Sequence, residues 1–206
     1  MNNSLVNDLW RKIAGIDKRL QRQEAQEQMP GGNRLTLRPQ LYAGRVGGVA
    51  KPTFVTLGAY AGYSFPIYDR DDEELFFRES IPGRWDGASN INAYAVVMLS
   101  AAEDVGDKFQ FQLSWASHVT GSGALASATT NVGTSQTVAT GRSAQYSIYV
   151  LTFAVNYTVP TPDLAAGDHF GGRIRRIAAA APQVSNEIIL LDFYMTYNVN
   201  KIYKSV

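Results

Sequence analysis

The sequence predicts an all-β fold, an antiparallel β-sandwich preceded by one N-terminal α-helix. Three observations carry this. Phe109, Phe111, Leu113 and Trp115 alternate with Lys108, Gln110, Gln112 and Ser114, and strict alternation marks a strand with one buried and one wet face. Between Glu73 and Trp115, three apolar runs are separated by polar turns at 82–87 and 103–107. Over the whole chain, about eight to ten short runs are bounded by turn residues, the spacing of a sandwich.

Composition narrows the class. At 206 residues the chain suits one β domain plus an appendage. A formal net charge of +1 argues against partners held by bulk charge, so neither nucleic acid nor a membrane surface is expected. With no cysteine, a disulfide framework and a thiolate metal site are both excluded. The start, MNNSLVNDLWRK, lacks an apolar signal core, and no run approaches a membrane span.

Residues 1–28 read as an oligomerisation helix. Asn2, Asn3 and Ser4 can cap it, and Pro30-Gly31-Gly32 stops it. Val6, Leu9, Ile13, Ile16 and Leu20 recur at spacings of 3, 4, 3 and 4. They fill a and d positions of a heptad in a helix about 35 Å long. Lys12 and Arg19 fall at g, and Asp17 and Glu24 fall at e. Each g cation can meet the e carboxylate five residues on in a parallel neighbour. A single amphipathic helix packed on the β domain would show a similar stripe. Here the stripe is narrow and a glycine hinge detaches the segment, so parallel self-association is the expectation. Isoleucine at both a and d leans toward three strands.

Residues 29–52 read as a hinge and extended connector. The alternating Arg34–Arg38 segment is demoted by Pro39 to an edge or arm. Residues 53–206 read as the sandwich. Thr53 to Leu57 is a strand, and the aromatic run after it, with Tyr60, Tyr63, Phe65 and Tyr68, reads as core plus interface. The acidic run 69–74 lacks the glycine and ligand spacing of a calcium loop and reads as a solvated turn. Residues 117–145 are rich in Ser, Thr and Gly and carry one charge, Arg142, with a strand expected at 134–139. Long loops of this kind are often functional. Thr120, Ser122, Thr129, Thr130 and Asn131 are therefore candidate partner contacts, with Trp85 in the earlier turn.

Residues 146–159 are apolar on both faces, with Ile148, Val150 and Ala154 on one side and Tyr149, Leu151, Phe153, Val155 and Tyr157 on the other. Such a strand is expected to be covered twice. Arg173 and Arg175 share a face, and near-neutral charge favours an ion-paired strand face over an anion site. In the last strand, Ile189, Leu191, Phe193, Met195 and Tyr197 share a face by alternation. Asp192, among apolar neighbours, requires a hydrogen-bond partner.

No chemistry stands out. His118 and His169 are far apart in sequence, without a further ligand at metal spacing. No nucleophile elbow, phosphate loop or Rossmann glycine pattern occurs. No catalytic residue, metal or cofactor is expected.

Phe76 to Gly87, with Pro82-Gly83-Arg84-Trp85-Asp86-Gly87 as its turn, then 91–99 and the strand ending at Trp115, resembles small trimeric jelly-roll proteins of tailed-phage virions. So do Gly167-Asp168 leading into Arg173-Ile174, and Leu190 to Tyr197. The resemblance implies a jelly-roll-like sandwich in a homotrimeric virion protein, assembled in the host cytoplasm. Its partners would be other virion proteins, either the major capsid protein or fibre and tail components. Its work would be non-enzymatic: decorating or cementing the capsid, or forming the base of a fibre. A receptor- or glycan-binding fibre-tip module is the alternative, and a glycan hydrolase a third.

Overall fold

A computed structural model describes residues 34–43, 52–66, 73–83, 85, 91–118, 130–155 and 167–199. They form β1 (Arg34–Leu37), β2 (Gln40–Ala43), β3 (Thr53–Leu57), β4 (Tyr60–Phe65), β5 (Glu74–Ser80), β6 (Ile91–Leu99), β7 (Lys108–His118), β8 (Thr130–Thr137), β9 (Ile148–Val155), β10 (His169–Ile177) and β11 (Ile188–Asn198). The chain is all-β, in two antiparallel sheets. One runs β3-β4-β11-β6-β9 with β1 also on β11; the other runs β2-β5-β10-β7-β8. The expected helix and its residues Val6, Leu9, Lys12, Ile13, Ile16, Asp17, Arg19, Leu20 and Glu24 lie outside the described residues.

The two sheets share one core. Phe109, Phe111, Leu113 and Trp115 of β7 are all buried, as the alternation requires. Rings meet from opposite sheets: Phe65 with Phe111 at 5.3 Å, Phe77 with Phe193 at 5.1 Å and Phe109 with Tyr149 at 5.4 Å. Edge and tilted contacts of this kind suit the ring quadrupoles and add to the burial of apolar area. Ser114, assigned to the wet face, is 1% exposed. It is a small side chain on an inner strand flanked by β10 and β8.

Four sequence expectations change. Arg34–Leu37 and Gln40–Ala43 are not connector: β1 pairs with β11 and β2 with β5. The link through Arg38 and Pro39 takes the chain from one sheet to the other, and a proline at the crossing removes no ladder donor. In β11 the register on β6 shifts between Leu190 and Asp192. This bulge inverts the side-chain phase, so Ile188 and Leu190 join Phe193, Met195 and Tyr197 in the core, while Ile189 and Leu191 do not. Thirdly, Glu74 is no solvated turn residue: it opens β5 and is 2% exposed. Finally, among the described residues β9 is covered on one face only. Tyr149, Leu151, Phe153 and Val155 are buried, but Ile148 is 37% and Val150 51% exposed.

The strand expected at 134–139 is β8, which runs from Thr130 to Thr137 and pairs with β7 along its whole length. Between β3 and β4 the turn has two residues, and Gly58 takes φ +61°, a region open to glycine at no steric cost.

A polar clasp closes one end of the sandwich. Arg176 is 5% exposed and donates to the carbonyls of Pro66 at 2.9 Å, Asn186 at 2.9 Å and Val184 at 3.0 Å. Glu103 accepts from the Asn186 amide at 2.8 Å and from the Ser185 amide and hydroxyl at 3.0 and 3.1 Å. The turn before β11 is thus held by its carbonyls on one side and its amides on the other. Burial lowers the Arg176 pKa to about 10, and the negative charge of Glu103 opposes that shift.

Candidate functional site

The outer face of the five-stranded sheet carries a groove, and the antiparallel register explains it. Residues opposite one another in a sheet share a face. Ser80, His169 and His118 form one outer row. Gln40, Arg78, Gly171 and Ala116 form the next. Phe76, Arg173, Ser114 and Asn131 occupy the third, and Glu74, Arg175, Gln112 and Gly133 the fourth. The second row is small at its centre, where Gly171 and Ala116 leave a trough between taller rows.

Two hollows follow that trough. One, of about 510 Å³, is lined by Phe76, Arg78, Ser114, Ala116, Gly171 and Arg173 among others. The second, of about 570 Å³, is lined by Gln40, Arg78, Glu79, Ser80, His169 and Gly171 among others. Arg78 and Gly171 line both, so the hollows adjoin there. The floor tolerates no larger residue at 172: a Cβ there would lie 2.1 Å from the Ser114 carbonyl oxygen.

Charge in the groove is unevenly compensated. Arg173 meets Glu74 at 2.7 Å, and Arg175 approaches the same carboxylate oxygen at 3.8 Å. Arg175 also donates twice to the Gln112 side-chain oxygen, at 2.9 and 2.7 Å. Both arginines therefore form the ion-paired face that their spacing suggested. Arg176, next in sequence, points the other way into the clasp described above. Arg78 is exposed, and among the described residues its guanidinium has no hydrogen bond or ion pair. His169 Nδ1 lies 3.2 Å from the Ser80 hydroxyl.

The six-stranded sheet has a contrasting outer face, where the polar groups satisfy each other. Tyr94 and Tyr194 stack at 5.0 Å. Arg34 lies over the Tyr94 ring and Arg38 over the Tyr194 ring, at 5.8 and 5.9 Å. Arg38 also pairs with Asp192, which supplies the partner that this carboxylate requires.

Of the candidate contacts, Thr120, Ser122 and Thr129 lie outside the described residues. Thr130 takes the register position opposite Trp115 and Asn131 that opposite Ser114. Trp85 bridges to Val199 and is 3% exposed, within the core of its own chain. An indole so enclosed presents no surface to a partner. Sequence reading passed over Gln40, Phe76, Arg78 and Gly171, because nothing local joins residues from β2, β5 and β10. The two histidines, distant in sequence, sit opposite each other in β10 and β7. Among the described residues no group of three or more His, Cys, Asp or Glu is arranged to hold a metal. No protein family, curated protein or solved structure matches this chain.

Proposed function

We propose that this protein is a non-enzymatic, homotrimeric virion subunit that decorates or cements a phage capsid or forms the base of a fibre. The observation that carries the reading is the open apolar face of β9. Ile148 and Val150 are exposed on the last strand of its sheet, in line with exposed Ala154. An apolar face at a sheet edge is a docking surface for protein. The strand order supports a jelly roll. From β4 onward the order β4-β11-β6-β9 faces β5-β10-β7-β8, so that successive strands alternate between sheets except at β7 and β8. Eight strands in this order make two Greek keys, an architecture shared by capsid and lectin domains. Fold alone does not choose between those uses. The groove on the other sheet favours the second reading, a glycan-binding module at a fibre tip.

The test is reconstitution. Particles are assembled with wild-type protein, with Val150→Lys, or without the protein, then imaged and challenged by heat and osmotic shock. Wild type should occupy regular positions and protect the particle. Val150→Lys should keep its β-type circular dichroism and fail to join. Normal assembly and resistance without the protein, together with lost attachment to cells, would reject the cementing role and favour the fibre tip.

A further inference from the structure

We propose that the groove over Gly171 binds an acidic saccharide, with Arg78 holding the sugar carboxylate. This assignment rests on the second reading above. Three features of the site point to this class of ligand.

The first is the unengaged arginine. Arg173 and Arg175 on the same face are tied to Glu74, whereas Arg78 stands between the two hollows with no acceptor among the described residues. A guanidinium offers a planar pair of donors that matches a carboxylate in two-point contact. The second is the lining. Gln40, Ser80 and His169 supply side-chain donors and acceptors suited to hydroxyl groups, and Phe76 and Ala116 supply apolar surface for the C–H face of a ring. The third is shape. Each hollow, at about 510 and 570 Å³, is of ordinary ligand-site size, and the two meet at Arg78. That arrangement suits two linked sugar rings with an acid group at their junction. The trough lies on the outer face of the sheet, across β2, β5, β10 and β7, whereas an extended peptide would add as a strand in the plane of the sheet.

The experiment is calorimetric titration of the full-length protein with sialyllactose, with trigalacturonic acid, and with neutral lactose. At least one acidic probe should bind saturably, and lactose at least ten-fold more weakly. Arg78→Ala should weaken the acidic probe ten-fold or more, with Arg78→Lys in between. Ala116→Tyr, which fills the trough from an exposed row, should also abolish binding. Arg142→Ala, at an exposed arginine between β8 and β9, should bind as wild type does. Circular dichroism of each variant should match wild type. The assignment is overturned if neither acidic probe binds at millimolar concentration, or if Arg142→Ala weakens binding as much as Arg78→Ala. Tighter binding of hexaglutamate in an Arg78-dependent manner would also overturn it, in favour of an acidic peptide. Lactose binding lost in Ala116→Tyr but kept in Arg78→Ala overturns the acidic ligand while leaving the fibre-tip reading intact.

Discussion

Removing Glu103 should cost far more than its place in a polar turn suggests. Its carboxylate accepts from the Ser185 amide, the Ser185 hydroxyl and the Asn186 amide at 3.0, 3.1 and 2.8 Å. Hydrogen bonds to a charged group contribute about 1.5–3 kcal/mol each when buried. Ser185 is exposed and Asn186 half-buried, so water recovers part of the loss. Glu103→Ala should therefore destabilise by about 2–4 kcal/mol, and Glu103→Gln, which keeps an acceptor, by about 1–2 kcal/mol. Arg176→Met should cost about 3–5 kcal/mol, because it strips a buried charged donor from several carbonyls. Both residues grip the same turn, so the double variant should fall short of the sum by at least about 0.5 kcal/mol. Urea unfolding followed by tryptophan fluorescence reads this out. At about 2 kcal/mol/M, the Glu103→Ala midpoint should fall by roughly 1–2 M. A cost below about 0.5 kcal/mol, or strict additivity with Arg176→Met, would refute the clasp as a stabilising unit.

The Arg176 cost should also be flat with pH between 6 and 9. Its folded pKa of about 10 lies below that of an ordinary guanidinium, so the unfolded chain holds the proton more tightly. The burial penalty is carried in full below about pH 10 and relieved only above it, so a slope across neutrality would mean that another group is responsible. Phe111→Ala and Phe193→Ala, at rings buried from opposite sheets, should each cost about 3–5 kcal/mol by chemical denaturation; surface-like values would reject the face assignment of that strand. Light scattering should give three times the 22.6 kDa chain mass, and deletion of residues 1–28 should lower that mass without changing the β-type circular dichroism. A wild-type monomer at micromolar concentration would rule out the heptad reading.

What the sequence alone determined is local and periodic. Strict alternation assigned Phe109, Phe111, Leu113 and Trp115 to a core face before any partner strand was known, because side chains in an extended chain point alternately to the two faces. Turn residues placed most strand ends, and the shared face of Arg173 and Arg175 followed from the same period. Tertiary structure decided what depends on pairing. The bulge at Leu191 turned Ile188 and Leu190 inward, and no local pattern announces a bulge within the apolar run Ile188 to Leu191. Strand β8 has little apolar pattern of its own and takes its extent from β7. Only the fold sets Glu103 and Arg176 against the same turn before β11. The groove is the clearest case. Gln40, Arg78, Gly171 and Ala116 come from four strands, and they form one row only because the inter-strand register sets them side by side. Register is a property of paired chains, fixed by the burial of whole faces, and so it lies beyond what a single segment can specify.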